Sequence, residues 1–149
     1  MEPEDDLAVK LSIYRTLSET GLAPTVAQVA AGTRLGEDAV LASFQRLHAR
    51  RLLVPEPGDA SRIRMAPPFS GIPTAFPVEA RGRCYFANCV WDAYGISAAL
   101  KCDAVIPATD AASSEPLTLE VRDGAPMPLP YVAHFAVPAA LWWRDIVYT

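Results

Sequence analysis

A chain of 149 residues, half of them hydrophobic and carrying a formal net charge of −4, can bury a real core and holds one ordinary domain or two small lobes. The charge is −1 over residues 1–65 (8 basic, 9 acidic) and −3 over the remainder (5 basic, 8 acidic), so neither part has the basic excess that phosphate backbones select. No run approaches the roughly 18 apolar residues of a membrane span, and the acidic start MEPEDD is the opposite of a signal peptide's basic region, so a cytoplasmic location is expected.

From Asp6 to Thr20 the apolar positions Leu7, Leu11, Tyr14 and Leu17 recur at helical spacing, and Gly21 closes the run. Thr25 is placed to cap a short second helix carrying Val26 and Val29. A third helix is expected from Glu37, with Val40, Leu41, Phe44 and Leu47 on one face. Its acidic start and its end, Arg46, His48, Arg50 and Arg51, match the helix dipole, and His48 is expected to cap that end. Leu52–Val54, a turn built from Pro55, Pro57 and Gly58, and the run Arg62–Met65 then predict a β-hairpin. Three helices and a hairpin read as a winged helix-turn-helix lobe over residues 1–65. Its basic residues serve the dipole and the solvated face equally well, so packing rather than DNA binding is the expected role.

Residues 66–80 hold four prolines and little periodicity, which predicts an ordered linker without regular structure. Phe69, Ile72 and Phe76 should pack it against the second lobe, residues 81–149. There Asn88 occupies a helix N-cap position, and Cys89 to about Leu100 is helical through Val90, Ala93, Tyr94, Ile96 and Leu100 despite Gly95. Strands are expected at Cys102–Ile106, Leu117–Arg122 and Tyr131–Val137, with a turn at Asp123-Gly124. Pro138 should open a short helix, AALWWRDIV. The fold class is α+β, with an antiparallel-type sheet in the second lobe.

Three cysteines, Cys84, Cys89 and Cys102, are an odd number without CxxC spacing, which argues for free thiols. A cysteine at a helix start faces unpaired backbone N–H groups and the positive dipole end, which favour its thiolate. Asp92 lies three residues on, on the same helix face, close enough to exchange a proton with something bound at sulfur. Each charge disfavours the other, so the pair is suited to holding one proton ready. The same spacing is met by a buried, inert cysteine and an Asp92 that caps the helix or pairs with Arg81 or Arg83. His134, in the apolar run YVAHFAV, is expected to be a hydrogen-bonded packing residue. Trp142 and Trp143 are expected in a core or interface rather than lining a pocket. No nucleotide-binding, serine-hydrolase or zinc-protease motif is present.

The order of a winged-helix lobe, a linker reading FSGIPTAFPVE, then RGRCYFANCVWDAYGI and LKCDA strongly resembles the organomercurial (alkylmercury) lyase family. The likeness runs from about Leu7 to Thr149, and its specific part is Cys89-x-x-Asp92, supported by SEPLTLEV and YVAHFAVP. It implies protonolysis of a carbon–mercury bond without a cofactor. Cys89 captures the soft metal as thiolate, Asp92 protonates the carbon leaving group, and Hg(II) remains as bound product for a cellular thiol or mercuric reductase. Cys102 matches a cysteine that is structural in that family, while Trp91 and Tyr94 beside the motif are expected to support the pocket. The family's second catalytic cysteine is expected just beyond YVAHFAVPAALWWRDIVYT, where this sequence stops, and Cys84 is a candidate substitute. The alternative is a non-catalytic metal- or ligand-binding protein, or a regulator working through its winged lobe.

Overall fold

The computed structural model describes residues 4–148. Helices α1 (Glu4–Thr20), α2 (Val26–Thr33) and α3 (Glu37–Ala49) pack on one another and on the hairpin β1 (Val54–Glu56) and β2 (Asp59–Ala66). The sequence signals act where they are local. Thr25 and Gln28 form a reciprocal capping box, Thr25 Oγ1 accepting from the Gln28 amide and Gln28 Oε1 from the Thr25 amide. Val40, Phe44 and Leu47 are buried as expected, Leu41 is half-buried, and the His48 ring bonds the Leu53 carbonyl just beyond α3.

Helix α1 buries Leu17 and half-buries Tyr14 as expected, but the rest of its buried stripe is shifted. Val9, Ile13 and Leu17 face the core with Asp6, whereas Leu7 and Leu11 are exposed. Both stripes are apolar, so periodicity alone leaves the helix phase open. The choice is made across the bundle, where the buried Asp6 carboxylate accepts from Ser43 Oγ at 2.6 Å and from Arg46 Nε and Nη2 at 3.0 and 2.6 Å.

The expectation of a linker without regular structure is overturned, because residues 66–80 are divided between two sheets. β3 (Phe69–Ser70) joins β1 and β2 in the order β1-β2-β3, and β4 (Pro77–Ala80) enters a second antiparallel sheet. That sheet runs β5-β4-β6-β7-β8, with β5 at Arg83–Phe86, β6 at Ala104–Thr109, β7 at Pro116–Arg122 and β8 at Ala125–Pro126. Four prolines do not prevent this, because β3 and β4 are short and each proline sits outside or at the start of its strand. The turn at Asp123-Gly124 forms as expected, both residues having positive φ.

One hydrophobic cluster runs from Val9 and Phe44 through Phe69 and Tyr85 to Ile96, Ile106 and Leu119. Phe69 stands at its middle, its ring 6.3 Å from that of Tyr14 on α1 and 5.8 Å from that of Tyr85 on β5. Tyr85, fully buried, also donates to the Ser18 carbonyl at 2.8 Å. Gly21 lets α1 end against β5: with φ +75, a Cβ there would lie 2.6 Å from the Cys84 carbonyl oxygen.

Helix α4 spans Val90–Leu100, and Gly95 within it meets Pro68, whose Cβ would lie 3.0 Å from an added side chain. After β8 the chain is irregular. The strand expected at Tyr131–Val137 does not form, and Tyr131, Val132 and His134 are exposed, so His134 is not a packing residue. An alternating apolar run needs a free sheet edge, and β8 on the near edge offers two residues. The helix after Pro138 forms as a 3-10 turn, Ala139–Arg144. Among the described residues no helix is long and apolar enough to cross a membrane.

Candidate functional site

Residues 74–88 show how the chain delivers Cys89. Phe69 forms a β-bridge with Ala87, the Ala87 amide donates to the Phe76 carbonyl at 2.9 Å, and Thr74 Oγ1 donates to the Ala87 carbonyl at 2.5 Å. Asn88 Nδ2 then reaches the Phe69 carbonyl at 3.3 Å. The proline-rich stretch is thus a clamp on the two residues preceding Cys89.

The N-cap of α4 is Cys89 itself, in extended backbone geometry, and not Asn88 as the sequence suggested. Asn88 is turned back into the fold, with Nδ2 also donating to Asp92 Oδ2 at 2.8 Å. Cys89 makes no side-chain cap hydrogen bond, so the helix amides act on its sulfur through their dipoles. Burial pushes the Cys89 thiol above its ordinary range. The Asp92 and Trp91 amides pull against this and the Asp92 charge adds to it, so the thiol is raised, the direction expected for a cysteine beside an acid, with burial as the larger cause. Burial likewise pushes the Asp92 carboxyl upward, opposed by the Asn88 hydrogen bond. Neither Arg81 nor Arg83 pairs with Asp92. Arg81 donates to the Leu100 carbonyl at the far end of α4.

Cys89 and Asp92 line one cavity of about 440 Å³. Its walls include Phe76 and Asn88 together with Phe135, Trp142 and Trp143 from the C-terminal segment, so the tryptophans line a pocket where packing alone was expected. Trp142 is held by donating Nε1 to the Val137 carbonyl at 2.7 Å and by Phe135, with ring centroids 5.2 Å apart. Trp143 lies under the Arg51 guanidinium, which is 5.6 Å from its ring centroid. Arg64 of β2 also borders the cavity and pairs with Glu56 at 3.3 Å.

The other candidate residues are distributed differently. Trp91 lines this cavity but is 69% exposed. Tyr94 and Cys102 line a separate cavity, of about 650 Å³, between α4 and the β7–β8 turn. Cys84 is exposed and borders a third depression with Arg81 and Arg83. Among the described residues Cys89 is therefore the one cysteine in the aromatic cavity, and no group of three or more metal-ligating side chains occurs. Sequence reading missed Asn88 as a partner of Asp92 and Phe135 as a wall. The i,i+4 spacing of Asn88 and Asp92 was a usable signal, whereas nothing local marks Phe135.

A half-buried thiol and a half-buried acid one helical turn apart, in an aromatic-walled cavity, define a site suited to a soft electrophile carrying an organic group. The family model for alkylmercury lyase matches residues 69–149, more than half of the chain, and the chain belongs to that family. Among solved structures it is similar to the mercury-bound form of MerB2, with 26% identity and a TM-score of 0.68 over 85% of this chain and 60% of that one. The chain thus spans about three fifths of the length of that relative. No curated protein matches.

Proposed function

We propose that this protein cleaves carbon–mercury bonds by protonolysis, with Cys89 as the mercury-capturing thiol and Asp92 as the proton carrier. The observation that carries the reading is that Cys89 and Asp92, three residues apart at the start of α4, line the same aromatic cavity. Family membership and the likeness to a mercury-bound structure support it.

With both groups raised by burial, the useful state holds one proton between them. The Asp92 carboxylate takes the Cys89 thiol proton as sulfur bonds to the metal of an organomercurial, and the metal's previous ligand leaves as an anion. The Asp92 carboxyl then delivers that proton to the metal-bound carbon. The carbon–mercury bonding pair passes to the new carbon–hydrogen bond, and the hydrocarbon departs. Mercury stays in the +2 state throughout, held by Cys89, and a thiolate supplied by a small thiol fills its second position before transfer to a thiol or reductase. Phe135, Trp142 and Trp143 receive the organic group and exclude water.

The test is exposure of the reduced protein to stoichiometric phenylmercury, with benzene quantified and the protein mass measured. Benzene together with a Hg adduct that is lost in Cys89→Ser is expected. An intact phenylmercury adduct without benzene overturns cleavage and leaves the second reading, a soft-metal binding protein. The absence of a second cysteine from the described cavity favours that reading. A regulator working through the winged lobe would in addition show salt-dependent DNA binding.

A further inference from the structure

Asn88 sits where the clamp meets α4, and its amide is fully specified by its neighbours. The Phe69 carbonyl, 3.3 Å from Nδ2, only accepts, so it forces the NH₂ group to face it. The second Nδ2 hydrogen goes to Asp92 Oδ2 at 2.8 Å. Both donors are then committed, and Asn88 Oδ1 is buried with no hydrogen-bond partner among the described residues. A buried acceptor left without a donor forfeits its hydration without replacement, so the arrangement is costly. Turning the amide over would offer Oδ1 to a protonated Asp92, but it would set oxygen against the Phe69 carbonyl. The backbone of β3 therefore locks Asn88 in the orientation that serves the ionised carboxylate. Asn88 makes no helix-cap bond that would explain it otherwise, since the N-cap is Cys89.

We infer that Asn88 is a positioning residue for Asp92, resting on the proton-carrying role proposed above. Locked by Phe69, its amide pins Oδ2 and keeps the carboxyl able to ionise inside an aromatic cavity, leaving Oδ1 of Asp92 to exchange the proton with sulfur and then carbon. The Asn88 hydrogen bond opposes the upward pull of burial on Asp92. The other titratable or charged groups about Asp92 are Cys89 at its own helix start, Tyr14 on α1, whose hydroxyl donates to the Pro67 carbonyl, Arg64 on β2 and Tyr148 of the C-terminal segment. Arg64 is engaged with Glu56 and Tyr14 with Pro67, which leaves Asn88 as the neighbour bonded to the carboxyl.

The test is a carbon-13 NMR titration of the aspartate carboxyl signals in the full chain without ligand, with the Asp92 signal assigned from its loss in Asp92→Asn. In Asn88→Ala the Asp92 midpoint is expected at higher pH than in the parent protein. With phenylmercury, kcat is expected to fall about ten-fold at little change in KM, and the acid limb of kcat/KM to move upward with the NMR midpoint. A folded Asn88→Ala protein whose Asp92 midpoint is unchanged or lower overturns the inference, whatever its turnover. Should Asn88→Ala not fold, Asn88→Ser is titrated in its place, with the same outcomes expected and excluded. Absence of benzene from the parent protein removes the proposed reaction, but the titration still decides whether Asn88 governs Asp92.

Discussion

Cys89 caps the helix whose first turn carries Asp92, and the two side chains border a single cavity that Trp142 and Trp143 also line. The thiol and the carboxyl thus ride on one turn of α4, while the aromatic walls of the cavity come from elsewhere in the chain. Cys89→Ser is expected to abolish the mercury adduct and benzene release, because a hydroxyl is not a ligand that a soft metal selects. Asp92→Ala is expected to keep the adduct but lower kcat by about 10²–10⁴-fold, the usual contribution of a positioned proton donor. Single-turnover benzene release with mass detection separates the two outcomes.

The pH dependence follows from the directions of the two shifts. Asp92 must be ionised to accept the thiol proton, and its pKa is raised by burial, so kcat/KM should fall on acidification at a pH above the ordinary carboxylate range. Cys89 is also raised, so the one-proton state should persist above neutrality and the alkaline limb should lie beyond the ordinary thiol range. A profile with its acid limb at or below 3.8, the ordinary aspartate value, would contradict this assignment.

Asp6, on α1, gives the opposite sign. Its carboxylate is fully buried and bonded to Arg46 and Ser43, and the Arg46 hydrogen bond, the largest cause, holds its pKa below 3.8. A lowered folded pKa means stability present above 3.8 and lost as pH falls through the folded value. Asp6→Ala should therefore destabilise the fold by about 1.5–3 kcal/mol at neutral pH, as expected for loss of charged hydrogen bonds, with the deficit shrinking in acid. Urea unfolding at several pH values measures both.

Trp142 is the wall residue with two independent restraints, its hydrogen bond to Val137 and its contact with Phe135. Trp142→Ala should raise KM for phenylmercury by about ten-fold, roughly 1.4 kcal/mol of aromatic contact, and should change KM for methylmercury less. Equal effects on both substrates would show that Trp142 supports the fold rather than the organic group.

Local chemistry was readable along the chain. The Thr25 cap, the Pro57-Gly58 and Asp123-Gly124 turns and the helix carrying Cys89 and Asp92 each depend on residues within four positions of one another. Residue spacing alone therefore placed the thiol and the acid on one helical turn, and the succession of local signals indicated the α+β class.

Tertiary contacts decided the rest. Helix α1 presents Val9 and Ile13 rather than Leu7 and Leu11, because Asp6 must meet Arg46, forty residues away. Asn88 leaves the cap because the Phe69 carbonyl and Asp92 hold its amide, and burial, which no local spacing reveals, is the largest cause of the raised thiol. Residues 131–137 stay irregular for want of a partner edge, and Phe135 and Trp142 line the cavity instead of a sheet. Periodicity describes what a segment can bury. Which face it buries, and what charge a buried group keeps, depends on desolvation and on partners far along the chain.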